Sequence, residues 1–207
     1  MKSKLFIIVI FTLFCFSVRA QVNNIEHVFK SELKKKNESV TSIQCRFTQT
    51  REVSFLVDPV IKDGEFYFLK PNNMLLSFND GDYIKMNSEW FEMKTVDNVT
   101  TTKVVSNPML KNLHSILTAC VVGDFDKISN GFMVNYVESA AEWTITLTPQ
   151  RGKAASKVSN IVIVFDKEDM SLNLLRIEEK SGDYTAYSFF NKLFNVTIDT
   201  HKFNIAK

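Results

Sequence analysis

The chain has 207 residues, 45% hydrophobic and 12% aromatic, with 25 Lys+Arg against 23 Asp+Glu. That length suits one domain with a sizeable core. The balanced charge excludes a basic nucleic-acid surface, and 3 Cys without a CxxC or Cys/His cluster give no metal-site signature.

Residues 1–20 open with Lys2 and Lys4, continue with an apolar run from Leu5 to Phe16, and end on Val18-Arg19-Ala20. A positive start, a short apolar core and a small residue before the cut describe a secretory signal peptide. The run is shorter than the ~20 residues a membrane span needs. Leu13 and Phe14 stand where a lipoprotein cleavage box before Cys15 would have small residues. The expectation is cleavage near Ala20, a periplasmic location, and a single domain over 21–207 with one net negative charge and no lipid anchor.

In the mature region, Val22, Ile25, Val28 or Phe29, and Leu33 recur at helical spacing and predict an amphipathic helix over 22–36. The rest alternates with period two. Strands are predicted at 42–51, 53–58, 63–70, 73–79, 83–87, 90–95, 99–105, 131–138, 141–148, 159–165, 172–180, 184–191 and 202–205. Gly64, Asp80-Gly81, Gly131 and Ser181-Gly182-Asp183 mark turns, the last with a hairpin signal. Between the strand groups, 107–117 reads as a helix with Pro108 near its start and Met109, Leu113, Ile116 and Leu117 on one face. Val122 to Ile128 reads as a short turn or helix. Strands at this spacing predict a mainly β fold: one large antiparallel sheet that curls, or a barrel.

The middle strands are apolar on both faces. Phe66 and Phe68 oppose Tyr67 and Leu69, followed by Met74, Leu76 and Phe78, then Ile84, Met86, Trp90, Phe91 and Met93. A sheet with one solvated face should be polar there, so a helix, a second sheet or a bound apolar ligand must cover the second face. Two readings stand: an ordinary filled core under the helices, or a cavity for hydrocarbon. Composition favours the filled core, because aromatic-rich cores are common, although Met and Phe also suit an adaptable binding surface.

Catalytic signatures are missing. His27, His114 and His201 are scattered, and a lone His on a helix is more often a surface or satisfied residue than a catalyst. There is no Gly-x-Ser-x-Gly elbow, HExxH, P-loop or dinucleotide-binding glycine motif. Asp166 to Asp169 reads as a solvated turn, and Asp124 with Asp126 is too short a run to define a calcium or acid–base site. The sequons at Asn37, Asn98 and Asn195 would be chance matches if the source is bacterial. Cys45 and Cys120 remain after signal removal. An oxidising compartment permits a disulfide between them, but two buried apolar thiols are the simpler reading.

Three ordered patterns resemble the LolA-like family of outer-membrane lipoprotein carriers. They are Phe47-x-Gln49 on an early strand, then Gly64-Glu65-Phe66-Tyr67-Phe68-Leu69-Lys70-Pro71 followed by Met74 to Phe78, and finally the C-terminal succession. That succession runs through Trp143 to Pro149, Ile161 to Asp166, Leu175 to Glu178, Gly182 to Thr185, Tyr187 to Phe190, Asn195 and Phe203. Together they span nearly the whole mature chain. The resemblance implies a strongly curved antiparallel sheet, an incomplete β-barrel, closed by helices. It implies a monomeric, non-enzymatic, cofactor-free periplasmic chaperone that binds lipoprotein acyl chains. Such a protein takes them from an inner-membrane lipoprotein-releasing transporter and passes them to an outer-membrane acceptor.

The expected cavity residues are Phe47, Phe66, Phe68, Met74, Leu76, Phe78, Ile84, Met86 and Trp90, under a lid of Met109, Leu113, Ile116 and Leu117. Lys70 stands where family members carry a basic lid-gating residue, often Arg; a Lys makes point-charge contacts where Arg forks to several carbonyls. The alternatives are a carrier of another lipid or acylated product, a structural or interaction domain with an aromatic core, and a hydrolase or isomerase with an unfamiliar site.

Overall fold

The structure is a computed structural model and describes residues 25–96, 98–106, 108–128, 131–150 and 157–205. The signal peptide expected over 1–20 and the predicted helix start at Val22 lie outside the described residues.

Eleven strands form one antiparallel sheet: β1 Ser42–Glu52, β2 Val60–Leu69, β3 Asn73–Phe78, β4 Tyr83–Met86, β5 Trp90–Thr95, β6 Asn98–Lys103, β7 Phe132–Glu138, β8 Glu142–Pro149, β9 Val158–Asp166, β10 Leu172–Glu179 and β11 Tyr184–Phe194. The order is β6-β5-β4-β3-β2-β1-β11-β10-β9-β8-β7. Each half is a meander of hairpins, and the antiparallel pairing of β1 with β11 joins the halves through partners such as Phe47↔Phe189 and Gln49↔Tyr187. The sheet does not close, because β6 and β7 are its two edges. This is the mainly β, large antiparallel sheet expected from the strand spacing, left unclosed as the family resemblance implies.

Among the described residues, two helices longer than a single turn complete the fold. Helix α1 occupies described residues 25–38, and α2 is Pro108–Val122. α2 connects the two edge strands in sequence and packs in the same core as both sheet halves. Pro108 suits a first helical position, where no intrahelical N–H bond is lost. Gly123 follows α2 with φ +85, and its N–H donates to the Ala119 carbonyl at 2.9 Å. A Cβ there would meet the α1 backbone at Leu33 and Lys34, 3.1–3.3 Å away. The two helices therefore meet at a residue where a side chain would be strained by both the positive φ and the close approach. α2 extends five residues beyond the predicted 117, because Ala119, Cys120 and Val121 continue its buried face.

Alternation decides which residues face inward. On β1, Ile43, Cys45 and Phe47 are buried while Arg46 is exposed. Phe29 of α1 sits on the β7–β9 half, with ring centroids 5.3–5.6 Å from Phe125, Tyr136, Trp143 and Phe165. Gly64 lies opposite Phe47. An added Cβ there would stand 2.3 Å from the Ser77 carbonyl and 2.8 Å from the Phe47 ring, so the aromatic ring lies on the bare backbone.

Two predicted strands are corrected. Residues 53–58 form an irregular loop between β1 and β2, although Val53, Phe55 and Val57 alternate as a strand would. Only Val53 is buried there; Phe55 and Val57 are 83% and 99% exposed. Residues 202–205 are not a strand either: Thr200–Phe203 is a 3₁₀ turn whose start is capped by Asp199, accepting from the His201 N–H. That segment covers the second apolar face of the middle strands. Asn195, at φ +57, redirects the chain, and its side-chain oxygen accepts the Thr41 N–H at 2.8 Å. Ile198 and Phe203 then pack on Tyr67 and Leu75 in a separate cluster. The turn expected at 122–128 is present as a 3₁₀ turn, Phe125–Lys127.

Candidate functional site

Between the inner face of the sheet and α2 lies a cavity of about 340 Å³. Its walls come from both halves of the sheet. β2–β4 contribute Phe66, Leu76, Ile84 and Met86; β9–β11 contribute Ile161, Leu175, Ile177, Tyr187 and Phe189; α2 contributes Ile116 and Leu117. The volume lies at the lower end of the ~300–1,000 Å³ typical of ligand pockets. It is roughly twice a 150 Å³ apolar cavity that stays dry and takes up benzene.

The apolar lining follows from period-two alternation on facing strands. Phe66 pairs with Leu76, and Leu76 with Ile84. Across the gap, Leu175 pairs with both Tyr187 and Ile163, and Ile177 with Ile161. Polar groups gather at one end. Lys157 and Glu179 are exposed and Thr185 half-buried, which places the mouth at the β10–β11 end of the sheet. Deeper in, the Tyr187 hydroxyl accepts the Gln49 side-chain N–H at 2.8 Å. Burial raises the Tyr187 pKa, so its phenol stays neutral and hydrogen-bonded. No His, Cys, Asp or Ser is among the described lining residues. The chamber is thus suited to holding hydrocarbon with a polar end at the mouth.

The predicted site residues divide. Phe66, Leu76, Ile84, Met86, Ile116 and Leu117 are on the cavity wall. Phe47, Phe68, Met74 and Phe78 are buried in the surrounding core rather than on the described wall. Trp90 borders a separate, more open cleft with Asn72, Asn87 and Asn204. Met109 and Leu113 belong to α2, and their side chains lie outside the described residues. Lys70 reaches α1: its ammonium donates to the Asn37 and Glu38 carbonyls at 2.9 and 3.2 Å. Those are the last helical residues of α1, where carbonyls lack intrahelical partners and a cation is favoured.

The β9–β11 wall is not legible from local pattern, because only the β1–β11 pairing brings it opposite β2–β4. His114 is more than a scattered helix residue. It sits half-buried on α2 near the Asn72 backbone of the β2–β3 turn, its buried Nε2 has no hydrogen-bond partner among the described residues, and burial lowers its pKa from 6.5. It thus stands where the lid-position helix faces the β2–β3 turn. Cys45 and Cys120 are buried free thiols that border the same small void with Lys192. Burial pushes the Cys45 thiol up to about 12 and raises Cys120 further, which keeps both protonated.

The family model described as "Outer membrane lipoprotein carrier protein LolA" matches residues 38–206. Among solved structures, MucB resembles the chain with a TM-score of 0.50 and 11% identity, over 90% of this chain and 63% of that one. A DUF1329 family protein from Desulfovibrio piger gives 0.49 at 10% identity, over 88% and 97% of the two chains. A putative outer membrane lipoprotein-sorting protein domain from Vibrio parahaemolyticus gives 0.48 at 9%, over 85% and 94%. At 11% identity the likeness to MucB is one of fold. No curated protein matches by sequence. The match from strand β1 to the C-terminal turn covers most of the chain, and the chain belongs to the LolA family.

Proposed function

We propose, from this family membership and from the apolar cavity under α2, that the chain is a periplasmic carrier for acyl chains of lipoproteins. Its mature form is a single domain over 21–207, released after removal of a signal peptide at 1–20. It receives acylated cargo from an inner-membrane lipoprotein-releasing transporter and yields it to an outer-membrane acceptor. It works without a cofactor and without catalysing a reaction. The observation that carries this reading is the apolar chamber of about 340 Å³ built by both sheet halves and capped by Ile116 and Leu117.

The energetics suit a carrier. Each buried methylene contributes ~0.8 kcal/mol, so ten give ~8 kcal/mol. A transport protein must not retain all of that. Ile116 and Leu117 are 2% and 4% exposed and packed on the chamber. Acyl chains must displace those contacts, and the net affinity falls by what the helix loses.

The test is to purify the mature protein from membrane-containing extract and identify what co-purifies by mass spectrometry, alongside displacement of a fluorescent fatty acid. Acylated lipoproteins that compete with the probe support the reading. Recovery of another apolar product in their place assigns the carrier a different cargo. A protein that binds neither the probe nor a lipopeptide overturns it.

A further inference from the structure

The loop between β1 and β2 is anomalous. Phe55, Leu56 and Val57 are consecutive apolar residues, 83%, 45% and 99% exposed, and Val60 and Ile61 beside them are also exposed. The loop is held in shape. Val53 is buried, the Leu56 N–H donates to the Val53 carbonyl at 2.8 Å, and the Ser54 N–H donates to the Asp183 carboxylate at 2.8 Å. Hydrogen bonding from Ser54 lowers the Asp183 pKa, so this anchor is ionised.

Asp183 belongs to the β10–β11 turn, and that turn adjoins the cavity mouth. Arg51, near the end of β1, pairs with Thr185, and Thr185 with Ile177. Thr185 and Ile177 both line the cavity, with Glu179 and Lys157 at its exposed end. The apolar tip and the mouth are therefore at the same end of the sheet, about two strand spacings or roughly 10 Å apart.

We propose that the 53–59 loop is a bilayer-docking tip that inserts Phe55, Leu56 and Val57 among lipid acyl chains and sets the cavity mouth against the membrane. The proposal rests on the carrier reading for its purpose, though not for its geometry. A lipid surface fits better than a protein. Three side chains on a turn cover far less than the ~800 Å² per partner of a stable protein interface, whereas a bilayer accepts any apolar projection. Among the described residues charge at this end is mixed and gives no basic anchor: Arg51, Lys157 and Lys180 stand with Glu52, Asp58, Glu179 and Asp183. Insertion is consequently apolar, and it places the mouth where a chain leaving the bilayer enters the protein with little exposure to water.

The test uses the full mature protein with vesicles of phosphatidylethanolamine, with and without phosphatidylglycerol. The Phe55→Trp variant should show blue-shifted emission quenched by bromine-labelled acyl chains. The Phe55→Ser/Val57→Ser variant should bind vesicles about a hundredfold more weakly, each transferred side chain being worth roughly tenfold or more, while a fluorescent fatty acid still enters its cavity. Binding should change little with salt or phosphatidylglycerol. The proposal is overturned if wild type ignores both vesicles, if the double variant binds as wild type, if binding needs phosphatidylglycerol and low salt, or if the Phe55→Trp emission responds only to an added protein. Insertion of the Phe55→Trp reporter in a protein that binds no fatty acid supports the tip and removes the carrier reading.

Discussion

Gly64→Ala is expected to destabilise the protein severely for so small a change. The new methyl would stand 2.3 Å from the Ser77 carbonyl and 2.8 Å from two atoms of the Phe47 ring. Neither neighbour can yield easily. Ser77 is held in the β2–β3 ladder opposite Glu65, and Phe47 is fully buried with its ring edge-on to Phe78 at 5.2 Å. Overpacking costs ~1–3 kcal/mol, and a clash with backbone belongs at the top of that range. Removing a strand glycine returns only ~0.5–1 kcal/mol through the unfolded chain. The net loss is about 2 kcal/mol, and at ~2–4 °C per kcal/mol for a domain of this size Tm should fall by about 4–8 °C. Thermal melts followed by circular dichroism measure this. Phe47→Leu combined with Gly64→Ala should cost less than the sum of the two changes, by ~0.5 kcal/mol or more, because they share a contact. A Gly64→Ala protein melting within about 1 °C of wild type would refute the claim that Phe47 lies on a bare backbone.

Ile116→Asp with Leu117→Asp should loosen α2 and abolish retention of a fluorescent fatty acid, since both side chains are buried at the cavity; unchanged binding in a folded variant would remove α2 from the site. His114 has a folded pKa lowered by burial, so its contribution to stability is full above ~6.5, its unfolded value, and declines as pH falls through the folded value. His114→Gln should flatten the fall in Tm between pH 7 and about pH 5, and an unaltered profile would refute the burial of a neutral imidazole there. Lys62 bridges Asp80 and Asp82 at 2.7 Å each, and these bonds lower both carboxyl pKa values below 3.8. That stabilisation is present above the unfolded carboxyl pKa and is lost as pH falls through the lowered ones; Lys62→Met should return both toward 3.8 in an NMR titration. Lys70→Met should fray the end of α1 and cost ~0.5–1.5 kcal/mol, with faster amide exchange there; an effect on fatty-acid release alone would point back to gating of α2.

The strands are legible because inward residues such as Phe66 and Phe68, or Leu175 and Ile177, recur every second position. The same rule misreads 53–58, since Val53, Phe55 and Val57 alternate as well as any strand and only tertiary placement leaves the last two in water. It also misreads 202–205, whose Phe203 packs from a 3₁₀ turn onto Tyr67. For the cavity, the near wall on β2–β4 is readable from its apolar density. The far wall is not, because Ile161, Leu175 and Phe189 look like ordinary core positions until β11 pairs with β1. Lys70 stands out in the sequence by its place before Pro71, but the partner it finds is the end of α1.

The most direct test of the account is to bind a photoactivatable fatty acid, irradiate, and map the labelled residues by mass spectrometry. The account predicts labels on Phe66, Ile84, Ile116, Leu175, Ile177 and Phe189, the two sheet walls and the helix above them. Labels confined to the cleft around Trp90 and Asn204, or spread over the outer surface with none on these residues, would contradict it.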